Sequence, residues 1–203
     1  MIDELIRKHR IISDQVDVSE LRVILTELQN VLNKRVKGDV VELGCYTGTT
    51  SLFIQRLLLL NKSQAKFHVY DSFQGLPEKS PQDDSPAGEQ FTAGELKASK
   101  KEFVQNFRQA SLPPPIIHAG WFSDLDYSDI PEQISFAFLD GDFYESIMDS
   151  FLAIQNNLAV GATIVVDDYQ SESLPGAARA VRHWLKDRPH KLRVEASLAI
   201  ISI

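Results

Sequence analysis

Between residues 19 and 35 the apolar positions Leu21, Ile24, Leu25, Leu28, Val31 and Leu32 recur every three or four residues, the spacing of an amphipathic helix. Ser19 stands where a capping side chain belongs, and Gly38 closes the segment. After Gly38 the pattern changes to short apolar runs alternating with helical stretches. Val40-Val41-Glu42-Leu43 predicts a strand, 49–60 a buried helix, and Phe67-His68-Val69-Tyr70 a second strand ending at Asp71. A helix over 99–109 is stopped by Pro113-Pro114-Pro115. Strands follow at 116–119, 134–140 and 162–167, with helices at 144–158 and 177–187, and two last runs, 191–196 and 198–203, read as a closing hairpin. The polar stretch 72–98 carries Pro77, Pro81 and Pro86 with Gly75, Gly88 and Gly94. It is too long for a plain connection and predicts a lid over a site. Alternating strands and helices without repeat or linker predict one α/β domain over 1–203, led by a helical segment over 1–37.

Composition adds bounds. A chain of 203 residues, 43% hydrophobic and 24% charged, is ordinary for a soluble globular protein. The net charge of −7 argues against nucleic acid as a partner. The single cysteine, Cys45, excludes an internal disulfide and fits a reducing, cytoplasmic setting. Met1-Ile2-Asp3-Glu4 does not open a signal peptide, and the run 57–60 is far too short to span a membrane.

The chemistry gathers where strands end. Glu42-Leu43-Gly44-Cys45-Tyr46-Thr47-Gly48-Thr49-Thr50 reads as strand, glycine turn and helix start. Such a turn lets a nucleotide-like ligand lie against bare backbone, and Glu42 beside it is expected among the cofactor contacts. The spacing is not the G-x-G-x-x-G of dinucleotide sites, and the G-K-[ST] of a phosphate loop is missing. A sugar-bearing ligand without phosphate, such as S-adenosylmethionine, fits better, with Gly44 admitting its amino-acid tail and Asp71 accepting bonds from its ribose. Five parallel strands finished by a hairpin match the Rossmann-like class I methyltransferase architecture: a seven-stranded, mostly parallel sheet with helices on both faces and a C-terminal β-hairpin. Three further acids, Asp140, Asp167 and Asp168, end neighbouring strands. Unpaired, they would repel one another, and a hard cation such as magnesium resolves that repulsion. The alternative is that Asp168 caps a helix or that an acid pairs with Arg179 or Arg182.

The glycine turn is similar to that of the catechol O-methyltransferases. Tyr70-Asp71-Ser72-Phe73-Gln74-Gly75-Leu76-Pro77, Gly120-Trp121-Phe122, Leu139-Asp140-Gly141-Asp142-Phe143-Tyr144-Glu145-Ser146 and Val166-Asp167-Asp168-Tyr169 resemble more closely the macrocin O-methyltransferase (TylF-like) family, over roughly 38–185. That family methylates sugar hydroxyls of macrolides and related natural products. The resemblance implies S-adenosylmethionine, magnesium and methyl transfer to a hydroxyl of a small-molecule acceptor. It places Tyr46 and Thr50 at the methionine end of the cofactor, Ser72 at the ribose or adenine, and Gly120, Trp121 and Phe122 beside adenine. It makes Asp140 the base as well as a metal ligand. Asp142 is a substitute base, although a solvated turn residue is the plainer expectation for it. Phe143 stands where catechol enzymes carry a lysine, so the catechol base is missing. The short stretch before the first strand predicts a smaller or more open acceptor pocket than macrocin-type enzymes have. A catechol-type phenol acceptor and a catalytically silent α/β binding protein are the alternative readings, and a homo-oligomer is left open.

Overall fold

The computed structural model describes residues 1–87 and 91–203. Its elements in chain order are α1 (Ile2–Lys8), α2 (Val18–Asn33), β1 (Asp39–Leu43), α3 (Thr49–Leu60), β2 (Phe67–Asp71), α4 (Lys100–Gln109), β3 (Ile116–Ala119), β4 (Ile134–Leu139), α5 (Tyr144–Ile154), β5 (Leu158–Val166), α6 (Pro175–Leu185), β6 (Lys191–Glu195) and β7 (Leu198–Ser202). The strands form one seven-stranded sheet in the order β3-β2-β1-β4-β5-β7-β6. The first five are parallel, and β7 runs antiparallel to both β5 and β6.

Because side chains alternate along a strand, each central strand feeds two cores. Val40, Phe136, Phe138 and Val165 face a layer built from α2, α3 and α4, where Leu25, Leu28, Phe53 and Phe103 are wholly buried. Val41, Leu43, Ala137, Leu139, Ile164 and Val166 face α5 and α6, against Ile147, Phe151, Val181 and Trp184. Burial on both faces explains why these strands read as nearly continuous apolar runs.

Several boundaries differ from expectation. Asp17, not Ser19, caps α2: its carboxylate accepts the Ser19 N–H at 2.7 Å and the Glu20 N–H at 3.3 Å. Helix α5 ends at Ile154 and β5 begins at Leu158, where 144–158 was expected to be one helix. Asn157 breaks that run, its side chain donating to the Pro131 carbonyl at 2.8 Å. The short helix α1 carries too few apolar positions to show as a period. Among the described residues no helix is long and apolar enough to cross a membrane.

Candidate active site

Strand β1 pairs with β2 on one side and β4 on the other, so chain connections leave it in opposite directions. Such a switch point opens a crevice at the carboxyl ends of the strands. A cavity of about 430 Å³ lies there. Gly44, Tyr46, Asp71, Ser72, Gly120, Trp121 and Phe122 line it, as do Asp140, Asp167 and Asp168. The ladder itself aims the acids: the Asp140 N–H donates to the Leu43 carbonyl at 2.8 Å and the Asp167 N–H to the Leu139 carbonyl at 2.9 Å.

Gly44 has a φ of +94°, and a Cβ there would lie 1.8 Å from the Asp140 carbonyl oxygen. The missing side chain therefore admits the neighbouring strand end as well as opening the cavity. Asp71 is engaged by the turn. Its Oδ2 accepts the N–H groups of Cys45 at 2.8 Å and Tyr46 at 3.2 Å, and its Oδ1 accepts that of Phe73 at 2.7 Å. The carboxylate at the end of β2 thus clamps the backbone of the glycine turn after β1.

Two expected cofactor contacts do not reach the cavity. Alternation turns Glu42 the same way as Val40, towards α3, where its Oε2 accepts the Ser51 hydroxyl. It is wholly buried, and burial pushes its carboxyl up to about 8, with the Ser51 bond opposing. Thr50 is buried in the first turns of α3. Cys45 is buried too, and burial followed by the Asp71 charge raises its thiol well above the ordinary range, so it offers no reactive thiolate.

The acidic cluster differs in membership from the expected set. Carboxylate oxygens of Asp140, Asp142 and Asp168 lie within 4.8 Å of one another. Asp167 is adjacent, and its Oδ1 accepts the Asp168 N–H at 2.9 Å. Asp142 is not a solvated turn residue: it lines the cavity in a left-handed turn, φ +60°, with the Phe143 N–H donating to the Gly141 carbonyl at 2.6 Å. Burial, then the charge of Asp168, lifts Asp142 to about 8. Burial, then Glu20, lifts Asp168 to about 7. Asp140 and Asp167 are raised well above the carboxylate range, by burial first and by Asp167 and Asp168 respectively next. Neither arginine offered as a partner pairs with these acids. Arg179 donates to the Gln82 carbonyl, and the Arg182 guanidinium lies 5.5 Å over the Tyr169 ring. An all-oxygen donor set, desolvated and mutually repelling, fits a hard divalent cation.

Other residues of the cavity were not foreseen. Gln15 and Glu20 reach it from the N-terminal segment, with Glu20 accepting the Ser197 hydroxyl. Glu145 and Asp149 reach it from α5; their spacing of four, straight after Asp140-Gly141-Asp142, was a readable sign of one helix face. The stretch expected as a lid forms a wall, with Leu76, Phe91 and Leu96 packed around Phe143 and Leu174. Residues 88–90 of that stretch lie outside the described residues.

The model of the family described as Macrocin-O-methyltransferase (TylF) matches residues 16–197. The demethyldecarbamoylnovobiocin O-methyltransferase of Streptomyces niveus is 28% identical, the match covering 76% of this chain and 61% of that protein. The mycinamicin III 3''-O-methyltransferase of Micromonospora griseorubida is 29% identical, covering 79% of this chain and 65% of that protein. The chain therefore spans somewhat under two thirds of these relatives' length. Among solved structures, the O-methyltransferase NovP superposes with a TM-score of 0.79 at 24% identity, covering 92% of this chain and 80% of that one. The calicheamicin methyltransferase CalS11 gives 0.73 at 17%, covering 99% and 90%. Sheet order, strand-end acids and a family match along nearly the whole sequence agree: this chain has the class I methyltransferase fold and belongs to the macrocin O-methyltransferase family.

Proposed function

We propose that this chain transfers the methyl group of S-adenosylmethionine to a hydroxyl of a sugar- or polyol-bearing natural product, working as one domain over 1–203 in the cytoplasm. One observation carries the reading: the glycine turn, the Asp71–Trp121 side and the carboxylate cluster open into a single cavity. Relatives support it, since one is named for a 3''-hydroxyl of mycinamicin III and another, from Streptomyces olivaceus, for the 4'-oxygen of a rhamnosyl tetracenomycin.

The residues divide the work. Backbone at Gly44 and Tyr46, with Asp71 and Ser72, receives the methionine and ribose portions, and the Trp121 ring offers a face for adenine. Asp140, Asp142 and Asp168 would hold magnesium, with Asp167 supporting Asp168 through its backbone N–H. A divalent ion bound there supplies Lewis acidity that lowers the pKa of a nearby hydroxyl. Asp140 would take up the hydroxyl proton, because an ion held beside it would acidify that hydroxyl enough for a carboxylate to serve as the base. Methyl transfer is an in-line displacement at sulfur-bound carbon, so most of the remaining contribution is alignment and exclusion of water by Leu76, Phe91, Leu96 and Phe122.

Charge narrows the acceptor. Glu20, Asp140, Asp142, Glu145, Asp149 and Asp168 line the cavity, and no lysine, arginine or histidine does so among the described residues. That field favours the sulfonium of the donor and a neutral or amine-bearing acceptor over one carrying phosphate. At the position where catechol enzymes carry a lysine stands Phe143, buried against Leu76 and Leu174. The test is an acceptor screen with labelled methyl donor, with and without magnesium. Transfer to neutral glycosides is expected. Absence of S-adenosylhomocysteine binding, or binding of NADH alone, would overturn the reading.

A further inference from the structure

Asp83 lies outside the cavity lining, in the stretch between β2 and α4, and is only 2% exposed. Its Oδ2 accepts the Ser80 N–H at 2.9 Å and the Ser80 hydroxyl at 2.7 Å. Its Oδ1 accepts the N–H of Tyr144, 61 positions along the chain, at 2.7 Å. Tyr144 is the first residue of α5, and the residue before it, Phe143, has no capping side chain. The start of α5 thus obtains its cap from a distant carboxylate, which also suits the positive end of the helix dipole.

The start of α6 is shaped around the same group. A Cβ on Gly176 would lie 1.8 Å from Asp83 Oδ1 and 2.7 Å from the Tyr144 nitrogen. Arg179 of α6 donates to the Gln82 carbonyl, and the Ser85 hydroxyl donates to the carbonyl of Glu172, just before α6. The short 80–85 stretch is therefore fixed to the beginnings of both helices. Those beginnings are where two members of the acidic cluster leave the sheet: Asp142 two residues before α5, and Asp168 in the connection leading to α6.

We propose that Asp83 is a positioning residue, a latch through which the 80–85 stretch sets the spacing of Asp142 and Asp168, so that docking of this stretch and cation binding are linked. The proposal rests on the reading of the acidic cluster as a cation site. Linkage is reciprocal: whatever loosens the latch weakens the cation, and the cation tightens the latch.

The test is a calorimetric Mn²⁺ titration of the full chain, paired with limited proteolysis within 72–87 with and without Mn²⁺. Asp83→Asn keeps an acceptor for Tyr144 but turns an amide against the Ser80 N–H. Gly176→Ala leaves Asp83 intact and displaces it by bulk. Both should weaken Mn²⁺ by about tenfold or more, within the usual range of such coupling. Both should also reduce the protection from proteolysis that Mn²⁺ gives the wild type, while S-adenosylhomocysteine affinity changes less than about threefold. Ser80→Ala, a milder change for the case where the others do not fold, should show a smaller loss in the same direction. Variants that melt lower yet bind Mn²⁺ like the wild type would overturn the latch alone. A wild type that binds no Mn²⁺ would overturn the cation reading and the latch with it.

Discussion

Replacing Asp71 with asparagine separates two roles that sequence reasoning had merged. The carboxylate accepts three backbone N–H bonds, from Cys45, Tyr46 and Phe73. Hydrogen bonds to a charged acceptor are worth about 1.5–3 kcal/mol each. Asparagine has one acceptor oxygen. Its best placement keeps that oxygen on Cys45 and Tyr46 and turns the amide group against the Phe73 N–H. One bond is then lost with its donor unsatisfied, at about 1–3 kcal/mol, and the other two fall from charged to neutral strength. Asp71 is only partly buried, so water recovers some of this, and about 2–3 kcal/mol of destabilisation is expected. With a urea slope of about 2 kcal/mol/M, the midpoint should fall by roughly 1–1.5 M. Because the turn forms the donor site, S-adenosylhomocysteine affinity should fall together with stability, and calorimetry on the same samples reads both. An unchanged midpoint with affinity reduced tenfold would refute the clamp and leave Asp71 as a ribose ligand alone.

Glu42→Gln should be nearly silent. A wholly buried carboxyl raised to about 8 is mostly protonated at pH 7, and the amide preserves the acceptor for Ser51, so the urea midpoint should move by less than about 0.5 M with donor affinity unchanged; a large loss of affinity would restore it as a cofactor contact. Gly44→Ala places a Cβ 1.8 Å from the Asp140 carbonyl oxygen at a φ of +94°, and should yield little folded protein in expression and circular dichroism, in contrast to Gly120→Ala, which meets nothing within 4 Å. Asp142 and Asp168 are raised from 3.8 to about 8 and about 7, so between pH 4 and 8 the folded state holds protons that the unfolded chain has released. Stability in EDTA should therefore fall as pH rises through that window, and magnesium should restore much of it by stabilising the ionised carboxylates; a melting temperature that rises from pH 6 to pH 8 in EDTA would contradict the assignment.

Much of the fold was legible because its sheet is buried on both faces. The apolar runs at β1, β2, β4 and β5 leave few alternatives, and acids placed directly after such runs fall at the carboxyl edge in any parallel arrangement. Asp71, Asp140 and the pair Asp167-Asp168 could be singled out on that ground alone. Asp142 could not: its place in the cluster depends on a left-handed turn that carries it back over the cavity. Nor could Gln15 and Glu20, which reach the cavity because α2 packs beneath β4 and β5, a contact between segments more than a hundred residues apart. Glu42 lies away from its expected place for the opposite reason. It stands beside the glycine turn in the chain, and strand alternation turns it away into the layer of α3.

The sequence by itself determined the alternation of elements, the parallel sheet and the edge at which chemistry gathers, because hydrophobic period and turn residues act over a few positions and are written locally. Only the tertiary structure decided which carboxylates converge, what Asp71 holds, and that Asp83 caps a helix 61 positions away. Those outcomes depend on hydrogen bonds of 2.7–3.2 Å between segments brought together by packing, and a one-dimensional pattern does not carry distances of that kind.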